Sequence, residues 1–418
     1  MATTTNKKPT AKKKTTGTKS TTKKATQKKA TSTIEDAIFA NTSNPKATKK
    51  VYKAGKKMAK KNPGGFIVVL LVVLLVVGLG VGGYFIYKNY FAKPQEPINS
   101  EAVDINFLEL GNKYTGDCTF IKAGDNDILI DAGSRQNSAT TIANFIDKYC
   151  KDGKLEYVIA THAHQDHIAG FVGSNSDQGI FKRYKIDTLI DFSLTNVTSA
   201  IYNSYVNLRK EKVESGDIAH HYTANDCIQG TNGAKKTFQL SEGTKMEILD
   251  QKFYRETSGD ENNYSVCVLF TQGNNNYLFT GDLEKEGEKS LVELNRLPQV
   301  ELFKGGHHGS YTANTDTLLN QIKPKNVCIC CCAGSDEYTS NPDNMFPAQD
   351  AVNRIAKHTD KIYVTTVVSD DERGYKSMNG NINFHCESGQ EYTITGSNNS
   401  IILKDTDWFK KNRTWPTV

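Results

Sequence analysis

Acidic and aromatic side chains are nearly absent from the first 63 residues of this 418-residue chain. The segment holds 18 lysines against only Glu35 and Asp36, a net of +16, and because the whole chain carries +6 the remainder carries −10. A segment with so little apolar surface cannot offset its conformational entropy by folding, which excludes a packed domain here. We therefore predict a disordered, Lys/Thr-rich cytoplasmic tail over residues 1–64, whose charge suits anionic lipid or nucleic acid.

Charge is missing altogether from the 22 residues from Phe66 to Tyr87. At about 1.5 Å per residue, an apolar helix of this length covers roughly 30 Å, the thickness of a bilayer core. The run exceeds the apolar region of a cleaved signal peptide, so a transmembrane helix over residues 65–88 is predicted. Its C-terminal half is rich in glycine, which permits close helix pairing and predicts self-association through this helix.

Lysines cluster before the apolar run and are sparse after it. The positive-inside rule therefore places the N-terminus in the cytoplasm and the body of the chain outside the cell. The prediction is a single-pass protein of the cell membrane, in contact with the lipid bilayer. A linker over residues 89–103 then joins the helix to an extracellular domain over residues 104–418.

Paired cysteine spacing is also missing. The nine cysteines are odd in number, so no disulfide framework is predicted. Four of them fall between Val327 and Cys332, which raises the alternative of a metal site. The run is short and otherwise apolar, and thiols in such a setting behave as small apolar groups. A buried strand is the preferred interpretation.

From Asp104 onward, short apolar runs alternate with Gly-, Asn- and Asp-rich turns and with helical patterns. This texture predicts an α/β class in which sheets are covered by helices. Residues 172–245 look polar and irregular, apart from a helix near residues 198–212, and the last predicted strand covers residues 401–403.

Histidine is scarce, yet three of the nine histidines fall in the six positions from His162 to His167. The motif Thr161-His-Ala-His-Gln-Asp-His167 directly follows an apolar strand. Imidazole nitrogen and carboxylate oxygen are ligands of zinc, iron and manganese. We predict that His162 and His164 reach one metal ion, and that Asp166 and His167 reach a second. A His-rich surface loop is the alternative, which this scarcity disfavours.

Three further strand ends carry side chains that we expect to bind or support the metal ions. Gly281-Asp282 presents a carboxylate that could bridge two cations. The Gly-rich turn Gly305-Gly-His307-His308 offers one ligand and one hydrogen-bond donor, with His308 slightly preferred as the ligand. Asp131, at the end of another strand, is predicted to brace the histidine loop rather than bind metal.

In this order and spacing, these blocks resemble the metallo-β-lactamase superfamily. The closer resemblance is to the hydrolase domain of ComEC-type competence proteins and covers about residues 104–403. The segments that carry it are Phe107-Leu-Glu-Leu-Gly111, Gly116-Asp117, Leu129-Ile-Asp-Ala-Gly133, Asn263-Tyr-Ser265, Leu278-Phe-Thr-Gly-Asp282 and His307-His-Gly-Ser310.

The resemblance implies an αββα sandwich with two divalent metal ions, zinc being favoured, at one edge of its sheets. It implies the catalytic residues Asp166 and His307. It also implies the following metal ligands: His162, His164, Asp166, His167, Asp282 and His308. Asp131, Asn263 and Ser310 would support these groups from behind.

Two departures from the family pattern stand out. No motif supplies the third histidine that many members give the first metal, and His220 and His221 are only weak candidates for it. Phe346-Pro347 also stands where His-Pro is common in the subgroup.

The leading hypothesis is an extracytoplasmic hydrolase of phosphodiesters, such as DNA or a phosphorylated envelope polymer, that acts through a metal-bridging hydroxide. A β-lactamase or thioesterase is an alternative, because one fold hosts many chemistries. A non-enzymatic receptor with a nucleic-acid-binding tail is the third. The acidic body argues mildly against extended contact with nucleic acid.

Overall fold

The computed structural model describes residues 101–371 and 373–417. The predicted tail, the predicted transmembrane helix and nearly all of the linker lie outside these residues, so they stay predictions. Within the described ranges, no helix is both long and apolar enough to span a membrane.

Two eight-stranded sheets form the domain, with strand orders β16-β15-β1-β2-β3-β4-β5-β6 and β14-β13-β12-β11-β10-β9-β8-β7. The strands of the first sheet are β1 (Val103–Phe107), β2 (Thr119–Ala123), β3 (Asn126–Ile130), β4 (Lys154–Ile159), β5 (Lys185–Asp191), β6 (Ile218–Thr223), β15 (Ile382–Cys386) and β16 (Tyr392–Gly396). The strands of the second sheet are β7 (Thr237–Ser241), β8 (Thr244–Leu249), β9 (Cys267–Gln272), β10 (Asn275–Phe279), β11 (Leu302–Lys304), β12 (Val327–Ala333), β13 (Ile362–Val368) and β14 (Tyr375–Ser377).

The two sheets pack face to face through aromatic side chains. Phe107 of the first sheet stacks on Phe279 of the second, with ring centroids 6.2 Å apart. Tyr277 and Phe384 make a second inter-sheet contact at 5.2 Å. These side chains are buried, so the main core lies between the sheets.

Helices cover the outer faces of both sheets. Beside the first sheet are α1 (Ser138–Ile146), α2 (Gln165–Val172), α3 (Ile180–Arg183), α4 (Ala200–Ser215) and α5 (Ala224–Gln229). Along the second sheet run α6 (Lys285–Leu294), α7 (Asp316–Ile322) and α8 (Gln349–Ile355), and α9 (Asp407–Asn412) follows near the C-terminus. Apolar side chains of α6, α7 and α8 form a second core against that sheet. The predicted α/β architecture with two sheets is confirmed.

Each sheet combines an antiparallel half with a parallel half. Strands β3 to β6 run parallel in the first sheet, and β10 to β13 run parallel in the second. Side chains that follow the carboxyl ends of parallel strands meet at one edge of a sheet. The loops after β3, β4, β10 and β11 carry the four predicted motifs.

Two predictions of local structure were wrong. Residues 172–245 contain β5, β6, β7 and the start of β8; the edge strands β6 and β7 were missed because their exposed side chains leave no clear apolar alternation. Residues 401–403 do not form a strand, because the Asn379 side chain accepts the Ile401 N–H at 2.9 Å and a 3-10 helix begins at Leu403.

The cysteine-rich run forms strand β12, which is buried throughout, as predicted. All nine cysteines are free and buried.

Candidate metal centre and active site

The histidine loop joins strand β4 to helix α2. His164 is the residue before the helix, so Asp166 and His167 lie in its first turn and point back toward the strand end. The loop is fixed by Asp131, whose Oδ1 accepts the Thr161 N–H at 2.7 Å.

Four ligand-type side chains converge at the sheet edge: Asp166, His167, Asp282 and His308. One ligand atom from each lies within 4.8 Å of all the others, and all four residues are buried. His167 Nε2 lies 3.0 Å and His308 Nε2 3.1 Å from Asp282 Oδ2. The resemblance implies Asp166, His167 and His308 as ligands of the second metal and Asp282 as a ligand between the two metals.

The donor set fits a divalent cation. His308 Nε2 is buried and lies 3.3 Å from Asp166 Oδ2, yet it makes no hydrogen bond. Burial lowers the pKa of His308, but Asp282 and Asp117 outweigh it and raise that pKa well above its ordinary value. A cation bound between the imidazoles and the carboxylates would coordinate the unbonded His308 Nε2. Its positive charge would then balance the carboxylates in place of a protonated imidazole.

His162 and His164 form a separate pair beside this group. His162 Nε2 and His164 Nδ1 lie 3.0 Å apart, and the His162 ring is 4.1 Å from that of His167. Burial, reinforced by the neighbouring imidazoles, lowers the pKa of His162 well below its ordinary value. The ring is therefore in the neutral form that binds metals.

Carboxylates orient both histidines of the four-residue group. Asp131 Oδ2 lies 2.8 Å from His167 Nδ1, the bracing position expected from sequence. Asp117 Oδ1 lies 3.2 Å from His308 Nδ1, which also faces the carbonyl oxygen of Cys330 at 2.9 Å. Such partners fix the tautomer and orientation of metal-binding imidazoles.

Asp117 and its partner Lys304 were missed by the sequence reasoning. Lys304 is buried, pairs with Asp117, and places Nζ 3.3 Å from Asp282 Oδ1. Burial opposes a charged lysine, but Asp117 and Asp282 outweigh it and raise the pKa of Lys304. Gly116-Asp117 entered only as part of the resemblance, and Lys304, the last residue of a three-residue strand, gave no signal.

His307 faces a different environment from His308. Its Nδ1 lies 2.9 Å from Glu284 Oε1 and its Nε2 lies 4.0 Å from Asp282 Oδ2, while the side chain keeps 19% exposure. Against the effect of burial, the hydrogen bond with His307 helps to lower the pKa of Glu284 to about 2. The buried His308 thus joins the ligand group, and His307 opens toward the cleft.

Two predicted supporting residues lie further out. The Ser310 hydroxyl bonds Thr312 at 2.8 Å, and Thr312 bonds Glu284 at 2.7 Å, so this side chain acts on the His307 ring only indirectly, while the Ser310 N–H donates to the His307 carbonyl at 2.7 Å. Asn263 does not contact the cluster, which corrects the prediction. Its side chain accepts the N–H of Gly287 at 3.2 Å and braces helix α6 instead.

Neither weak candidate for a third histidine joins the site. His221 Nε2 lies 3.0 Å from Asp191 Oδ1, and the buried Asp191 also pairs with Arg209. His220 is exposed and stacks on Tyr222 with ring centroids 6.1 Å apart.

A cleft of about 800 Å³ opens over these groups. Tyr338 reaches in from the loop after β12 and donates to Asp166 Oδ2 at 2.7 Å. Arg135 pairs with Glu337 beside it. Phe346, the departure noted in the sequence, packs 5.7 Å from the His307 ring and 5.6 Å from the His308 ring.

Comparison with known proteins agrees with this arrangement. The family model described as the metallo-beta-lactamase superfamily matches residues 111–173 and 254–333, which include the ligand motifs. ComE operon protein 3 of Bacillus subtilis is 22% identical over 232 residues, covering 54% of this chain and 25% of that protein. Recombination protein 2 of Haemophilus influenzae is 34% identical over 64 residues, covering 15% of this chain and 8% of that protein.

The chain thus spans a quarter or less of the curated relatives it matches. Among solved structures, the metallo-beta-lactamase fold protein YhfI from Bacillus subtilis aligns with 63% of this chain and 96% of its own, at 10% identity and a TM-score of 0.35.

Proposed function

We propose that this chain, which belongs to the metallo-beta-lactamase superfamily of metal-dependent hydrolases, is a membrane-anchored phosphodiesterase with its active site outside the cell. The observation that carries the proposal is the meeting of Asp166, His167, Asp282 and His308 at one sheet edge, with His162 and His164 beside them.

Divalent metal ions, zinc being favoured and two the expected number, would be held by these six side chains. Nitrogen and oxygen ligands of this kind suit zinc, and also iron and manganese. When bound, such ions supply Lewis-acid chemistry, which lowers the pKa of coordinated water and neutralises charge on phosphate oxygens.

His307 is proposed to act on the substrate directly. Its Nδ1 faces the Glu284 carboxylate at 2.9 Å, so Nδ1 carries a proton and donates to it. Nε2 is thereby directed toward the cleft, where it can form a hydrogen bond with the reacting group.

The rest of the chain's own machinery excludes water and fixes charge. Phe346 packs against the rings of His307 and His308, which keeps one wall of the cleft apolar. The Lys304 ammonium lies behind Asp282 and holds that carboxylate in place. These contacts preorganise the polar groups, so little reorganisation is needed during reaction.

A phosphodiester, and DNA in particular, is the proposed substrate class. Support comes from the match to ComE operon protein 3 over 54% of this chain and to Recombination protein 2 over 15%. Since residues 64–418 carry a net charge of −10, a long duplex would be repelled unless the metal ions focus positive potential at the cleft.

Membrane attachment and an extracellular site remain part of the proposal because they rest on the charge-free run over residues 66–87 and the lysines before it. Self-association through that run belongs to the same proposal.

The test is a substrate panel on the full-length protein in detergent, with bis(p-nitrophenyl) phosphate, single- and double-stranded DNA, nitrocefin and an acyl thioester. We expect phosphodiester cleavage that a chelator abolishes, and loss of that cleavage in Asp166→Ala. Turnover of nitrocefin or the thioester alone would favour the lactamase or thioesterase alternative. DNA binding without any turnover would favour the receptor.

A further inference from the structure

Arg135 lies in the wall of the active-site cleft, outside the groups that would hold metal ions. We infer that Arg135 binds a second anionic group of the substrate, next to the phosphodiester that is cleaved. The inference rests on the proposed phosphodiesterase function and narrows its substrate class to molecules that carry neighbouring phosphates.

Arg135 is the cationic side chain of the cleft. Among the described residues that line this space of about 800 Å³, it is the only lysine or arginine, and its side chain keeps 28% exposure. Asp166 and Asp282 also line the cleft but belong to the four-residue group, and Glu284 pairs with His307 at 2.9 Å. The pair of Arg135 and Glu337 is therefore the ion pair that an incoming substrate meets in the wall.

The guanidinium is held in place from the first-sheet side of the cleft. It lies over the ring of Tyr114 at 4.0 Å, and its Nη1 donates to the carbonyl oxygen of Ser134 at 2.9 Å. The side-chain amide of Gln165 lies 3.3 Å from Nη1 and from Nε, and it accepts from both when its oxygen is turned toward them. A guanidinium fixed in this way loses little side-chain entropy when it binds an anion.

Glu337 reaches the guanidinium from the opposite wall. It lies in the loop after β12, pairs with Nη2 of Arg135, and accepts the Thr115 N–H at 2.8 Å through its other oxygen. A guanidinium carries five N–H donors, of which one bonds Ser134, two bond Gln165 and one bonds Glu337. Within the part of the chain that the structure describes, one N–H on Nη2 is thus left for an oxygen atom of the substrate.

The Arg135 ion pair is one residue away from the four-residue group on both walls. Glu337 directly precedes Tyr338, whose hydroxyl donates to Asp166 at 2.7 Å. On the other wall, Gln165 directly precedes Asp166. Because consecutive Cα atoms are about 3.8 Å apart, an anion at Arg135 would be the immediate neighbour of a phosphodiester held at the four-residue group.

The chemistry of arginine favours phosphate as this second anion. A planar guanidinium matches two oxygen atoms of a phosphate or carboxylate at once. In a nucleic-acid strand, or at its phosphorylated end, the charged group next to the cleaved phosphodiester is another phosphate. A substrate with a single phosphate, such as bis(p-nitrophenyl) phosphate, cannot make this contact.

The test compares dinucleotides with one and two phosphates on the full-length, zinc-loaded protein in detergent. The dinucleotide TpT has only the phosphodiester, whereas pTpT and TpTp carry a second phosphate at the 5′ or the 3′ end. We expect the KM of at least one two-phosphate dinucleotide to be about tenfold below that of TpT, the size of one charge-assisted hydrogen bond. Equal KM values for all three would overturn the inference.

Variants assign this preference to the guanidinium. Arg135→Gln should abolish the preference through KM, and Arg135→Lys, which keeps the charge, should restore part of it. Glu337→Gln removes the competing charge but keeps an acceptor for the Thr115 N–H, so it should strengthen the preference. The matched control is Arg255→Gln, since Arg255 is similarly exposed, at 34%, and pairs with Asp250 at 2.8 Å outside the cleft.

A merely structural role of Arg135 would change the KM of all three dinucleotides alike and leave their ratio as it was. A ratio that survives in Arg135→Gln would therefore contradict the assignment, as would a ratio that falls equally in Arg255→Gln.

A binding measurement separates this inference from the proposed function. If no dinucleotide is cleaved, calorimetry of pTpT and TpTp with the zinc-loaded protein still reports on the arginine. About tenfold weaker binding in Arg135→Gln would then keep the anion site and remove the phosphodiesterase, whereas equal binding, or none, would remove both. Cleavage without any preference for a second phosphate would keep the phosphodiesterase and remove the anion site.

Discussion

The loop after β4 and the turn after β11 bring ligands to the same point by different means. The first runs straight into helix α2, and its ligands occupy ordinary backbone conformations around the helix start. The second holds His307 and His308 in left-handed backbone, at φ 46° and 54°. Non-glycine residues adopt that conformation at some cost and keep it only where the surroundings impose it.

Side-chain hydrogen bonds hold this turn in its left-handed conformation. The Asn314 side chain bonds both the N–H and the carbonyl of Gly306, each at 2.9 Å, and Glu288 accepts the N–H of Asn314 at 2.7 Å. The first half of the site, the loop after β4, is thus braced by Asp131 from the end of β3, while the second half, the turn after β11, depends on residues from α6 and the segment before α7.

The largest expected effect comes from the residue that both halves share. Asp282→Ala removes the carboxylate that faces His167, His308 and Lys304, and it leaves the lysine with one fewer partner. We expect zinc binding at the four-residue group to fail and phosphodiester turnover to fall by roughly a thousandfold or more, because metal-ion catalysis contributes several kcal/mol. Metal analysis and steady-state kinetics measure both.

Asp316→Ala is the control for that change, since Asp316 is an exposed aspartate paired with Lys357. It should leave zinc content and turnover as in the unmodified protein. Retention of bound zinc in Asp282→Ala would mean that the shared carboxylate is dispensable.

Glu288 supports the turn after β11, and its contribution can be tested through the pH dependence of the free energy of unfolding. Burial, opposed by hydrogen bonds from Thr315 and Asn314, raises the pKa of Glu288 from 4.5 to about 7. The folded state therefore keeps a proton that the unfolded chain releases, so stability from this group is full below pH 4.5 and declines as pH rises to about 7. The decline amounts to roughly 3 kcal/mol.

Glu288→Gln should flatten this decline in the free energy of unfolding, measured by denaturant titration in chelator at several pH values. Glu286→Gln, an exposed neighbour on the same helix, is the control and should keep the slope. An unchanged slope in Glu288→Gln would show that the carboxyl is ionised throughout.

Asp131 tests the support of the first half. Asp131→Asn keeps the shape but weakens the interaction with His167 Nδ1, now at 2.8 Å. We expect roughly 10- to 100-fold weaker zinc binding at the four-residue group, by calorimetry. Asp104→Asn disrupts another Asp–His pair of 2.9 Å, remote from the cleft, and should not alter zinc affinity.

Tyr338 gives the smallest expected effect. Tyr338→Phe removes the hydrogen bond of 2.7 Å to Asp166 while keeping the aromatic ring beside Phe346. A single lost bond to a charged group corresponds to about 1.5–3 kcal/mol at most, so we expect about a tenfold lower kcat. Tyr311→Phe, whose hydroxyl makes no hydrogen bond within the described residues, is the matched control. Equal kinetics for both variants would remove Tyr338 from the active site.

Some residues of the site could be predicted from the sequence and others could not. The histidine loop could be identified from sequence because its donors are adjacent in the chain and histidine is otherwise rare. Asp117 and Lys304 could not, because their roles arise from contacts across the two sheets. Asn263 was misplaced for the same reason: the motif marked its position in the chain but not the helix that it braces.

Central and edge strands of the fold also differ in how well they could be predicted from the sequence. The central strand β12, which is one continuous apolar run, was predicted close to its observed bounds. The edge strands β6 and β7 were not, since most of their side chains are exposed or half-buried and pairing alone makes them strands.

The decisive measurement is bis(p-nitrophenyl) phosphate hydrolysis by the full-length protein, stripped of metal and then reconstituted with zinc, beside Asp282→Ala. We expect turnover that disappears with the metal, returns with zinc and stays absent in the variant. Zinc-loaded protein that cleaves no phosphodiester, or turnover that survives in Asp282→Ala, would rule out a metal-dependent phosphodiesterase built on these ligands.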